Sequence, residues 1–330
     1  MNGGQFSRRY LVATLACSCF GLTSCTQEQA PENYYVQGQL AADAGQTADA
    51  IAELSRAIDS NPNMVLAYEA RGDLYQNQGQ LQEALADYSK ASKIDPQSFH
   101  AWYQIGVINQ ALQQLQEAIA AYQKALELRP DNSLVAMNLG IVYTEAGQPY
   151  FGIIYGQRAL ENAPDSFDAW AALGVTYSKL AANNAAFRAQ AIKCFKECLE
   201  LEPDVQQVYL NLATVYLDGK DFDQAREVLQ TAERLAPSPL ISERLGYSLF
   251  KLGKFDQATQ AYNDALKMEP DYIPALNGLG VVDMTQAIDG APNSEALSKE
   301  ALKLWQKSLD LNDNQPVIQK LVQRFSTQSN

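Results

Sequence analysis

A chain of 330 residues with 47% apolar and 19% charged side chains is too apolar and too evenly mixed to stay disordered, so a folded protein is expected. Its 25 Lys and Arg stand against 38 Asp and Glu, a formal charge of −13, and this excludes a surface built to grip a phosphate backbone, which needs clustered positive charge. One histidine, His100, and five cysteines leave at most one imidazole for a catalytic triad or zinc site, and no GxGxxG, Walker, HExxH or GxSxG pattern is present, so no catalysis, metal or cofactor is expected.

Arg8 and Arg9 are the only charges among residues 1–24 and precede the apolar run Leu11 to Leu22. At about 12 residues that run falls short of the roughly 20 that a membrane-spanning helix needs, so it reads as an export signal. It ends in Leu22-Thr23-Ser24-Cys25, which resembles the lipobox of bacterial lipoproteins. The resemblance implies that residues 1–24 are removed as a lipoprotein signal peptide and that the Cys25 sulfur is acylated. A plain secretory signal with Cys25 as a bystander is the alternative. Ser7-Arg8-Arg9-Tyr10-Leu11 also resembles a twin-arginine export signal, although the arginine pair equally serves as ordinary leader charge. Loss of residues 1–24 leaves 23 basic against 38 acidic residues, a charge of −15. Such a body is repelled by anionic lipid, and membrane attachment is expected through the N-terminal lipid alone. Residues 25–33 form a tether that spans roughly 30 Å when fully extended. By analogy with lipoprotein sorting, Thr26 after the cysteine favours the outer membrane, facing the periplasm, if the organism is double-membraned.

From residue 31 the sequence repeats itself with a period of about 34 residues. Trp170-Ala171-Ala172-Leu173-Gly174-Val175-Thr176-Tyr177 has the form W-x₂-L-G-x₂-Y. Aligned on it, position 8 is Gly38, Gly72, Gly106, Gly140, Gly174, Ala213, Gly246 and Gly280, which takes seven of the 19 glycines and cannot be chance. Position 20 is Ala in seven units and Gly152 in the fourth, and position 27 is Ala in six, Cys198 in the fifth and Ser308 in the eighth. Small residues at this spacing predict two antiparallel helices crossing with their axes about 8 Å apart. Tyr75, Tyr143, Tyr177 and Tyr216 at position 11, and Tyr88, Tyr122, Phe195, Tyr262 and Trp305 at position 24, read as core, and a proline at position 32 ends seven of the eight units.

This pattern resembles the tetratricopeptide repeat. The resemblance implies an all-α fold, an α-solenoid wound as a right-handed superhelix of about eight helix-turn-helix repeats. The repeats run 31–64, 65–98, 99–132, 133–166, 167–205, 206–238, 239–272 and 273–315. Residues 316–325 follow as a capping helix, with Val317, Ile318, Leu321, Val322 and Phe325 on one face, and 326–330 as a polar tail. Extra residues near Ala182–Ala186 and around Asp289–Asn293 are expected in the loops inside the fifth and eighth units.

For function, the resemblance implies a protein-binding scaffold whose first helices line a concave groove, exposing positions 2, 5, 6, 9, 12 and 13. Here the middle of that groove presents Tyr103, Val107, Met137, Asn138, Ile141, Val175, Leu210 and Asn211. Six of these eight are apolar or aromatic, which suits an apolar peptide or helix, and the two asparagines are expected to hydrogen-bond its backbone. The competing reading has a tightly wound superhelix packing some of these side chains against neighbouring repeats. The Lys and Arg carboxylate clamp of chaperone-binding relatives is not evident at these positions. His100 reads as a groove or surface residue, and Cys194 and Cys198 as packed thiols, with a disulfide between them as the alternative. With the lipobox, the expectation is a membrane-anchored, non-catalytic adaptor of the bacterial cell envelope with a protein or peptide partner, no nucleic acid and no metal. The alternative is a small-molecule sensor or an enzyme of the envelope.

Overall fold

The structure, a computed structural model, describes residues 30–182 and 184–326; Cys25 and the leader lie outside them. Among the described residues there are seventeen helices and no strand. Eight antiparallel pairs follow one another: α1 (Pro31–Asp43) with α2 (Thr47–Ser60), α3 (Val65–Asn77) with α4 (Leu81–Ile94), α5 (Phe99–Ala111) with α6 (Leu115–Leu128), and α7 (Ser133–Glu145) with α8 (Pro149–Asn162). They continue as α9 (Phe167–Ala181) with α10 (Ala185–Leu201), α11 (Gln206–Gly219) with α12 (Phe222–Leu235), α13 (Pro239–Lys251) with α14 (Phe255–Met268), and α15 (Ile273–Ile288) with α16 (Ser294–Leu311). The closing helix, α17 (Pro316–Ser326), lays Phe325 against Trp305 with ring centroids 6.3 Å apart and buries Ile318, which covers the end of the last pair.

The turn inside each regular unit needs one left-handed residue. Gly45, Gly79, Gly147 and Gly253 supply it with φ between 72° and 75°, while Gln113 and Lys220 adopt φ of 60° and 63° at the same place. Ser98, Asn132, Ser166 and Ser238 begin first helices by accepting a hydrogen bond from the backbone N–H three residues on.

Position 8 is small because of what sits above it. A Cβ on Gly72, Gly106, Gly174, Gly246 or Gly280 would fall within 3.0 Å of the ring of Tyr88, Tyr122, Phe195, Tyr262 or Trp305 respectively. Each of these rings is the position-24 residue of the same unit, and all five are buried. The fourth unit departs from this rule. Gly156 replaces the ring there, so α7 and α8 approach backbone to backbone, and a Cβ on Gly140 would lie 3.0 Å from the Gly152 carbonyl oxygen and 3.1 Å from the Gly156 nitrogen. The aromatics of this unit stack beside the crossing instead, with Tyr143 5.1 Å from Phe151 and 5.4 Å from Tyr155.

Position 11 holds an unusual residue in the eighth unit. Asp283 is only 6% exposed, and burial, with Glu300 as the lesser cause, pushes its carboxyl up to about 6. The folded chain therefore holds this proton more tightly than the unfolded chain, whose aspartate titrates near about 3.9, and stability is lost as pH rises between those two values. Asp283→Asn is expected to raise stability near neutral pH by about 1–3 kcal/mol and to lose the advantage below about pH 4, as read by thermal melts at the two pH values.

Candidate functional site

First helices of successive units touch in four places, α1 with α3, α7 with α9, α9 with α11 and α13 with α15, whereas no successive second helices come as close. The first-helix layer therefore lies on the inside of the curve and lines a groove, and the second helices form its outer wall.

At the centre of the groove the structure brings Ile141 and Val175 together. With Thr144, Glu145, Ala172, Thr176 and Lys179 they line an open hollow of about 280 Å³ between α7 and α9. Val175 is 39% exposed. Its floor is uncharged, and the charges stand at the rim, where Lys179 Nζ donates to the Thr144 carbonyl at 3.4 Å and Glu145 accepts from Gln110 at 3.1 Å. Thr144 and Thr176 share a hydroxyl hydrogen bond of 3.0 Å beneath it.

Tyr103, Val107 and Met137 are half-buried and pack against the core of the third and fourth units, so they present edges rather than whole side chains. Leu210 corrects the sequence-based expectation: it is 9% exposed and belongs to one buried core that runs through the fifth to eighth units, because the array winds tightly enough for neighbouring units to share it. The two asparagines are also engaged locally. Asn138 Nδ2 donates to the Tyr103 hydroxyl at 3.5 Å, and Asn211 Oδ1 accepts from Gln207 at 3.0 Å.

A polar cluster, which the sequence did not reveal, occupies the groove at the second and third units. The Tyr88 hydroxyl donates to Asp73 Oδ1 at 2.5 Å, and His100 Nε2 lies 3.0 Å from the same oxygen. The Ser98 hydroxyl donates to Glu69, and Gln76 and Gln104 meet at 3.4 Å. The hydrogen bond to Asp73 raises the His100 pKa, and burial followed by Asp73 raises that of Tyr88. These residues belong to adjacent units, so inspection of the helix that carries His100 could not find them; pairing position 9 of one unit with position 2 of the next would have.

Nearby, Arg71 points away into the structure. It donates to both Asp87 oxygens at 2.8 and 2.7 Å and to Ser55 at 2.8 Å, and it is structural. Further along the groove Arg244 Nη1 donates to Thr214 at 2.6 Å, and Lys251 Nζ stands 5.4 Å from the Tyr247 ring centroid. Cys194 and Cys198 are free and buried, and burial pushes both thiols up to about 12. Among the described residues no group of three His, Cys, Asp or Glu side chains could hold a metal ion.

Stacked helix pairs and an inner groove define an α-solenoid. Tetratricopeptide repeat models match residues 35–99, 100–132 and 188–242, and a TPR repeat model matches 246–286, together more than half of the chain. The chain is a tetratricopeptide-repeat protein. Its similarity to the Protein CTR9 homolog of Arabidopsis thaliana is 32% identity over 96 residues, covering 28% of this chain and 9% of that protein. Similarity to the peroxisomal targeting signal receptor of Saccharomyces cerevisiae is 29% over 102 residues, covering 31% of this chain and 16% of the receptor. The chain thus spans less than a fifth of the length of either curated relative. A solved tetratricopeptide repeat protein from Parabacteroides merdae shares the fold with a TM-score of 0.54 at 17% identity, covering 84% of this chain and 98% of that one.

Proposed function

We propose that this protein is a non-catalytic scaffold of the bacterial cell envelope, tethered by a lipid on Cys25, that holds a peptide or helix of a protein partner in its concave groove. The observation that carries the reading is the Ile141–Val175 hollow, a depression with an apolar floor and charges only at its rim, on the inner face of a strongly acidic chain. The similarity to a receptor for a targeting signal supports a polypeptide ligand. A photo-crosslinking residue at position 175 is expected to trap a protein adduct in cells, whereas the same residue at Glu117, exposed on the outer layer, is not. Equal adducts from both positions, or none from 175, would reject the groove.

Tethering rests on the leader and on Cys25. Among the described residues no helix is long and apolar enough to cross a membrane. Cys25→Ser is expected to move the protein from the membrane pellet to the soluble fraction after a salt wash. The outer membrane is the favoured destination because Thr26 follows the cysteine. Retention of the variant in the pellet would place the anchor elsewhere.

A further inference from the structure

The groove is charged unevenly along its length. In the first three units the groove positions carry Glu32, Asp43, Glu69 and Asp73 and neither Lys nor Arg. Arg71, the nearest guanidinium in sequence, is committed to Asp87 and neutralises none of them. Asp73 is 43% exposed, and its hydrogen-bond partners are the Tyr88 hydroxyl and His100, so no permanent cation is paired with it. Glu69 takes the Ser98 hydroxyl and forms no ion pair; Arg129 lines the same hollow as Glu69 but stacks on the Phe99 ring, 4.1 Å from its centroid, and the four carboxylates outnumber it. In the fourth and fifth units the floor is apolar, and the groove positions carry Glu145 and Asp168 against Lys179, a single net negative charge. In the sixth and seventh units Arg244 and Lys251 are offset by Asp218 and Glu243. The negative field is therefore strongest at one end of the groove, next to its apolar centre.

Resting on the groove reading above, we infer that the partner segment is basic at one end and apolar at the other, with cationic side chains over Glu69 and Asp73 and an apolar side chain in the Ile141–Val175 hollow. Charge complementarity selects this occupant: an acidic segment would meet like charge, and a wholly apolar one would leave the exposed carboxylates facing it desolvated. Spacing follows from the array. Three steps between neighbouring first helices, each about 8–10 Å, separate α3 from α9, so an extended segment needs about seven to nine residues between its basic and apolar anchors.

The probe is a fluorescent synthetic peptide with two lysines, a neutral spacer of about seven residues and a Leu-Leu end; a second peptide carries two glutamates in place of the lysines. Binding is read by fluorescence anisotropy near physiological salt, where charges farther apart than about 8 Å are largely screened. The lysine peptide is expected to bind about tenfold or more tightly than the glutamate peptide. Glu69→Gln with Asp73→Asn is expected to remove that discrimination, since both replacements keep an oxygen acceptor for Ser98, Tyr88 and His100. Glu83→Gln with Glu117→Gln, on the outer layer, is expected to change it by less than about twofold. If the Glu69 and Asp73 double variant loses its helical circular dichroism, Glu69→Gln alone carries the test. No binding of the lysine peptide, equal binding of the two peptides, or equal effects of the inner and outer variants overturns the inference. Failure of the groove itself would show differently, as loss of the crosslink at position 175.

Discussion

Gly140→Leu is expected to destabilise the fourth repeat by about 3 kcal/mol or more, at the upper end for overpacking a core. In the other glycine units an aromatic ring or Leu54 opposes position 8, and a side chain can tilt. Here the opposing atoms are the Gly152 carbonyl oxygen and the Gly156 nitrogen, 3.0 and 3.1 Å from where the new Cβ would be, and backbone atoms of a helix cannot rotate away. The α7–α8 pair must open, and opening it disturbs the hollow that α7 shares with α9. Stability in a repeat array is a sum over units and interfaces, so the loss should appear first as local opening. Hydrogen exchange is expected to rise in α7 and α8 before it does in α13 and α14. Gly79→Ala gives the comparison: the new Cβ meets nothing within 4 Å, and only the left-handed backbone, φ +75°, opposes it, at about 1–2 kcal/mol. If the two variants melt alike, the helices of the fourth unit are not in backbone contact.

Features confined to one unit were legible in the sequence, because they recur eight times and each recurrence tests the last. The small residues at positions 8, 20 and 27 are of this kind: they predicted the crossing helix pairs, and with the W-x₂-L-G-x₂-Y form they carried the resemblance that implied the all-α array. Features that join units were not. Leu210 occupies a position that faces the groove within its own helix, yet it lies in a core that neighbouring units share, and how tightly successive units wind is written in no single one of them. Asp73, Tyr88 and His100 meet across two units for the same reason. Asp283 was within reach, since four other units carry tyrosine at its position, but a single carboxylate among many gives no signal until its burial is known.

Ile141→Glu combined with Val175→Glu is expected to weaken partner capture by at least about tenfold while leaving the fold intact, because it places two charges in a hollow that an apolar side chain would otherwise fill. The choice of residues matters. Val107 and Met137 also face the groove, but they pack against the buried core of their units, so charging them would mix unfolding with loss of binding. Val175 is 39% exposed and Ile141 half-buried, and solvent at the hollow can hydrate both new carboxylates in the free protein. The expected cost in stability is therefore small, about 0.5–1 kcal/mol. Leu210→Glu sets the opposite limit: at 9% exposure inside the core, its carboxylate would be buried without a partner and should cost about 3 kcal/mol or more. Capture of crosslinkable proteins from solubilised membranes, compared with thermal melts of the same preparations, separates the two cases. A double variant that melts like the parent and still captures its partners undiminished would exclude the α7–α9 hollow as the binding site.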